Sequence, residues 1–241
     1  MAKHFDRELA NIKKMVLSLG ALVEERVRRV IQAVENKDPD LAQQNIKMDY
    51  EIDEMEVELE EECLKVLALH QPVAVDLRFL VAVIKINNEL ERIGDLAVNI
   101  AQRVWVLAQR KSSNLYYDYS QMSEKAMIML KMSLDALVKI DEVLAFKVLT
   151  LDDEVDHLKT EAYDQIKNDM KNNPEAIGPL INLFLISRHL ERLADHATNI
   201  AEEVIYLIEG EIVRHHKYGV NIQLGKETEK KSRQTPCPEP S

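Results

Sequence analysis

Glu91 and Asp95 are spaced one helical turn apart, and Glu191 and Asp195 repeat them 100 residues later. Asn99 and Asn199 carry each series one turn further. Two more acidic pairs, Asp49-x-x-x-Asp53 and Asp152-x-x-x-Asp156, are related by an offset of 103. Like charges at i and i+4 cost a helix about 0.2–0.5 kcal/mol, so a decorative face has no reason to prefer them. If the helices bearing these pairs face each other, four carboxylates meet in each half of the chain. Four anions held close repel strongly unless a cation neutralises them. Oxygen-rich sites of that kind suit hard or borderline ions such as magnesium, manganese or iron. The competing reading is a solvated acidic face. It has most force for Asp49 and Asp53, because nine of the fourteen residues from Asp49 to Glu62 are acidic.

The elements that carry these residues come from a duplication. LERIGDLAVNIA (residues 90–101) and LERLADHATNIA (residues 190–201) are identical at eight of twelve positions. A self-match at a fixed offset indicates two copies of one supersecondary unit. Ile86, Leu90, Ile93, Ala97, Ile100, Val104 and Leu107 form an apolar seam spaced 4-3-4-3-4-3, and Ile186 to Leu207 repeats it. The seam must be buried, and the acidic stripe then lies about 100° round the helix, at the edge of the core.

Composition agrees with an all-helical fold. The chain has 241 residues, 30% of them charged and 5% aromatic, and only 6 Gly and 7 Pro. Three of the prolines (Pro236, Pro238, Pro240) fall in the last six residues. The spacing predicts helices over 3–36, 39–69, 72–111, 120–139, 141–172 and 174–209. Asp38-Pro39, Gln71-Pro72 and Asn173-Pro174 read as N-caps with proline at the first helical position, and Gly210 as a C-cap. The expected organisation is a three-helix bundle over 1–111, a linker over 112–119, a second bundle over 120–210, and a largely disordered polar tail over 211–241. A formal net charge of −11 argues against nucleic acid as a partner, since phosphate neutralisation needs a basic surface. Neither a signal-peptide core nor an apolar run of spanning length is present, which predicts a soluble cytoplasmic protein. Cys63 and Cys237 alone build neither a disulfide framework nor a thiolate zinc site.

Other chemistry is thinly represented. A ferritin-like di-metal oxidase needs two Glu-x-x-His motifs, and only Glu154-x-x-His157 fits. His189 and His196 flank the second acidic motif, but Glu89 and Leu96 replace them in the first. Trp105, Met127, Met129 and Met132 read most simply as core. No phosphate-cradling Gly-rich loop and no Ser or Cys nucleophile stands out.

In these motifs the chain resembles the PhoU family, regulators of phosphate uptake. The resemblance covers residues 1 to about 218. It is carried by QPVAVDLRFLVAVIKINNELERIGDLAVNIA (residues 71–101) and SRHLERLADHATNIAEEVIYLIEGE (residues 187–211). It implies two tandem pseudo-symmetric three-helix bundles whose acidic motifs bind multinuclear metal clusters of iron, manganese, magnesium or zinc. The implied ligands are Asp49, Asp53, Glu91, Asp95, Asp152, Asp156, Glu191 and Asp195, with Asn99 and Asn199 as possible extensions. The implied role is a non-enzymatic, homodimeric negative regulator coupling a phosphate-specific ABC transporter ATPase to a sensor histidine kinase. Asp76 and Arg78 align with Ala176 and Gly178, so this pair is a candidate partner-binding patch in one half alone. Two alternatives stay open at this point: a carboxylate-bridged oxidase or hydrolase, and a metal-free helical scaffold.

Overall fold

A computed structural model of the chain describes residues 2–109 and 117–211. Among the described residues the structure is helical and contains no strand. The helices are α1 (Ala2–Asn36), α2 (Pro39–Lys47), α3 (Tyr50–His70), α4 (Ala74–Ala108), α5 (Ser120–Lys139), α6 (Glu142–Asn172) and α7 (Ile177–Glu209). A short 3-10 turn, Pro174–Ala176, precedes α7. The predicted linker and tail lie largely outside the described residues.

Burial follows the apolar periodicity. Ile12, Val16, Leu19, Val23, Val27, Val30 and Ala33 line the hidden face of α1. The α4 seam is buried from Ile86 to Val104, with Leu107 half-exposed, and its α7 counterpart is buried from Ile186 to Leu207. Residues 91–100 and 191–200 show the same order of buried, half-buried and exposed positions, residue for residue. Of the expected core residues, Met129 is buried and Met127 and Met132 are half-buried, whereas Trp105 is 40% exposed. Trp105 is one residue beyond Val104 in the seam, on the face that turns towards water.

Helix α1 packs on α3 and α4 with α2 alongside, and α5 and α6 pack on α7. The two sets join chiefly through α4 and α7, with α1 also touching α5. Pairing of Lys85 with Glu203 and of Arg103 with Asn182 shows that α4 and α7 run antiparallel. The resulting unit is continuous through Glu211. Its core is thus shared between the two copies.

Helix boundaries correct three expectations. The segment 39–69 is two helices, because the chain leaves α-geometry at Met48, whose backbone N–H bonds to Asn45 at 3.2 Å. Buried Arg26 of α1 fills that break, bonding Met48 Sδ at 3.0 Å and pairing with Glu51. Gln71 is the left-handed C-cap of α3 rather than an N-cap, and α4 begins three residues later. Asn173 closes α6 by donating to the Asp169 carbonyl and is also the N-cap residue of the 3-10 turn that Pro174 opens, so the expected cap is met by that turn, while α7 starts only at Ile177. Pro179 explains the delay: without an N–H it fits the first turn of a helix but not its interior. Asp38 does cap α2, accepting from the N–H groups of Asp40 and Leu41 at 3.0 Å each. Gly210 ends α7 with φ 80°.

Candidate metal centres

Two acidic clusters form where the sequence places its carboxylate pairs. The first is built by α3 and α4. Burial raises the Asp49, Glu91 and Asp95 carboxyls above their ordinary values, and mutual repulsion adds to it. Asp49 feels Asp53 and Asp95, and Glu91 feels Asp95, Glu56 and Asp53. Asp49 stands at the break between α2 and α3, where the nearby Arg26 cation pulls in the opposite direction.

The second cluster is built by α6 and α7. Burial, with repulsion from Asp195, Asp156, Asp153 and Glu191, pushes Asp152 up to about 6. Asp195 is likewise pushed up to about 6, by burial and by Glu191 and Asp156. Within this cluster the Lys159 ammonium donates to Glu191 Oε1 at 2.8 Å.

Electrostatic coupling thus links the eight acidic candidates into two sets of four. Glu56 joins the first, and the sequence reading missed it because it lies in a long acidic run. Lys159 is a second omission, and the offset of 103 that aligns the acidic pairs points to it directly. Asn199 is turned towards α4, where its Nδ2 donates to Glu89 Oε2 at 2.9 Å. His196 Nδ1 bonds the same oxygen at 2.6 Å. These contacts hold the Glu89 carboxyl below its usual range although burial alone would raise it. Asn99 is half-buried on α4 at the matching position. Glu154 and His157 are exposed and pair with Lys125 and Glu161, so this Glu-x-x-His motif faces water rather than a core.

The Asp76–Arg78 pair divides between two tasks. Asp76 occupies the first turn of α4, where a negative charge opposes the helix dipole favourably. Arg78 lies across the end of α7: its guanidinium reaches within 1.9 Å of where a Cβ on Gly210 would be. Glycine at 210 therefore supplies both the left-handed turn and the room for Arg78.

Whether these clusters suit a metal is decided by their donors. All eight acidic candidates offer carboxylates, the donor type that hard cations take. The second cluster already draws in an internal cation, Lys159, as a stand-in. Among the described residues, however, no group of three or more acidic, His or Cys side chains is placed so that it could hold a metal ion as it stands. The donor chemistry fits a cation, and closing around one requires side-chain rotation at the partly exposed carboxylates.

Comparison with known proteins identifies the family. The PhoU domain matches residues 16–104 and 119–204, one copy in each half. The chain belongs to the PhoU family. It is 37% identical over 216 residues to the phosphate-specific transport system accessory protein PhoU homolog of Pseudomonas aeruginosa, covering 89% of each chain. The crystal structure of PhoU from that organism matches with a TM-score of 0.83 and 36% identity, over 86% of this chain and 100% of the other. The phosphate transport system regulatory protein PhoU from Streptococcus pneumoniae matches with a TM-score of 0.80 and 31% identity, over 87% and 99%. As in the expected PhoU fold, the architecture is two tandem, pseudo-symmetric helical bundles.

Proposed function

We propose that this chain is a cation-dependent accessory regulator of phosphate transport. It couples a phosphate-specific ABC transporter ATPase to a sensor histidine kinase and restrains phosphate-starvation signalling. The observation that carries this reading is the mirrored pair of carboxylate clusters in a chain whose relatives are named accessory and regulatory proteins of phosphate transport. Asp49, Asp53, Glu91 and Asp95 would hold cations in one half, and Asp152, Asp156, Glu191 and Asp195 in the other. A bound cation supplies positive charge that cancels the repulsion among these groups. The helices themselves do the rest. With that repulsion cancelled, the α3–α4 and α6–α7 contacts already present would hold fixed the outer surface offered to a partner.

The net charge of −11 favours basic patches on those partners and a fast, salt-sensitive association. No helix among the described residues is long and apolar enough to cross a membrane, so the reading makes contact with the membrane indirect, through the transporter. It places the protein in the cytoplasm, as a homodimer. The role is non-enzymatic in this reading, in keeping with relatives named accessory and regulatory proteins.

Two measurements test the reading. Deleting the gene should leave the phosphate-starvation response on in phosphate-rich medium; a normal response would overturn the regulatory role. Replacing Asp95 and Asp195 together by Asn should abolish stoichiometric metal in the purified protein while helix content stays intact. Unchanged metal content in that double variant would remove the assignment of the ligands.

A further inference from the structure

The two acidic clusters differ at one aligned position. At the offset that relates Asp49 and Asp53 to Asp152 and Asp156, Glu56 falls opposite Lys159. The consequences are opposite in sign. Glu56 repels Glu91 across the α3–α4 contact, and its Oε1 is held there by the Asn87 amide at 3.2 Å. Lys159 instead grips Glu191, the counterpart of Glu91, at 2.8 Å, and Asp156 and Asp195 also act on its ammonium. Its side chain is one-third exposed and that of Glu191 less so, so water screens the contact incompletely. The first cluster has cations of its own in Arg92, which acts on Glu91 without a hydrogen bond to it, and in Arg26. That guanidinium is committed to Glu51 and Met48, outside the cluster, and of the four candidate ligands it bears on Asp49.

We infer that Lys159 is a built-in counter-cation that sets the order of loading: the α3–α4 cluster fills first and the α6–α7 cluster later and more weakly. A divalent cation entering the second cluster must take Glu191 from Lys159 or accept a positive neighbour. At the first cluster it meets an additional carboxylate. One chain then carries a high-affinity site that is filled constantly and a low-affinity site that responds to cation concentration. This inference rests on the metal-binding reading of both clusters.

The test uses the full chain stripped with a chelator and titrated with Mn²⁺, with bound ion counted by electron paramagnetic resonance and heat by calorimetry. Wild type should show two affinity classes. Lys159→Glu should tighten the weaker class by roughly tenfold or more, as expected when a unit charge is reversed beside a partly solvated ion. Lys159→Met, which keeps much of the apolar stem, should give part of that gain. Glu56→Lys should weaken the stronger class instead. Circular dichroism of each variant separates loss of binding from loss of fold. A single affinity class in wild type, or a weaker class unmoved by both Lys159 substitutions, overturns the ordering while leaving the metal sites standing. Absence of Mn²⁺ binding in folded wild type and in folded Lys159→Glu overturns the metal reading itself.

Discussion

The α4 and α7 motifs are near-copies in sequence and in burial, yet the clusters they build are not copies. The difference comes from the helices opposite. In the first half the opposing helix is broken at Met48, so that Asp49 begins a new helix above the buried Arg26. In the second half α6 runs unbroken from Glu142 to Asn172, with Asp152 inside it. Asp152 and Asp195 are pushed up to about 6 even with Lys159 beside them. Burial is the larger cause in both clusters, and corresponding carboxylates fall in the same exposure class, so the difference lies in the charges around them. The repeated motif specifies where a carboxylate ladder stands. What that ladder can bind is decided by the less similar helix across from it.

The same asymmetry runs through the α4–α7 contact and provides the largest expected effect. Glu89 and His189 occupy matching positions, but Glu89 receives bonds from His196 and Asn199, whereas the buried His189 Nδ1 has no partner among the described residues. Glu89→Ala should cost about 2–3 kcal/mol, because it strands two polar groups in the contact. His189→Ala should cost clearly less. Urea unfolding midpoints of the two variants check this, and equal losses would refute a privileged role for Glu89.

A slightly smaller effect separates the paired helices themselves. A Cβ on Gly94 would lie 2.9 Å from Ile52 Cδ1, while the aligned residue in the second half is the buried Ala194. Gly94→Ala should therefore destabilise by about 1–3 kcal/mol through overpacking, despite the better helix propensity of alanine. Ala194→Gly should cost about 1 kcal/mol from propensity. A stabilised Gly94→Ala protein in thermal melts would show that α3 and α4 have slack at this point.

Much of this was legible in the sequence, and the omissions have physical causes. The seams from Ile86 and Ile186 place α4 and α7 because burial of a heptad-like stripe leaves few alternatives. The acidic pairs are legible because like charges one turn apart are unfavourable without a reason. The break at Met48 is not legible locally, since Lys47-Met48-Asp49-Tyr50 contains neither Gly nor Pro. It coincides with Arg26, 22 residues earlier, whose buried guanidinium bonds the residues at the break. Prolines 72 and 174 mislead for a related reason. Each stands near a helix start, but the left-handed Gln71 and Ala74 in one case, and Pro179 in the other, move the first turn downstream. Glu56 is hidden by its acidic neighbours until the fold singles it out against Glu91.

The smallest expected effect is also the most direct comparison of the two clusters, and it concerns pH. Asp152 and Asp195 bind protons more tightly in the folded chain, near 6, than at the ordinary value of 3.8. Their contribution to stability is therefore fully present below about 3.8 and is lost as pH rises through about 6. For the chelator-stripped protein, stability should fall between roughly pH 4 and 7 by about 1 kcal/mol for the two groups together, once their contact with water is discounted. Asp49, Glu91 and Asp95 shift in the same direction, so the first cluster adds to the slope. Glu89 opposes it: its carboxyl is held low, and its contribution is lost as pH falls through that lowered value. Asp152→Asn with Asp195→Asn should flatten the melting temperature against pH in stripped protein and raise it at pH 7. Asp49→Asn with Asp95→Asn should do the same to a lesser degree. Saturating Mn²⁺ should flatten the wild-type curve as well, because a bound cation replaces the protons that relieve repulsion. A stripped protein whose melting temperature is constant from pH 4 to 7 would mean that neither cluster is under electrostatic stress, and the difference between them would then lie in geometry alone.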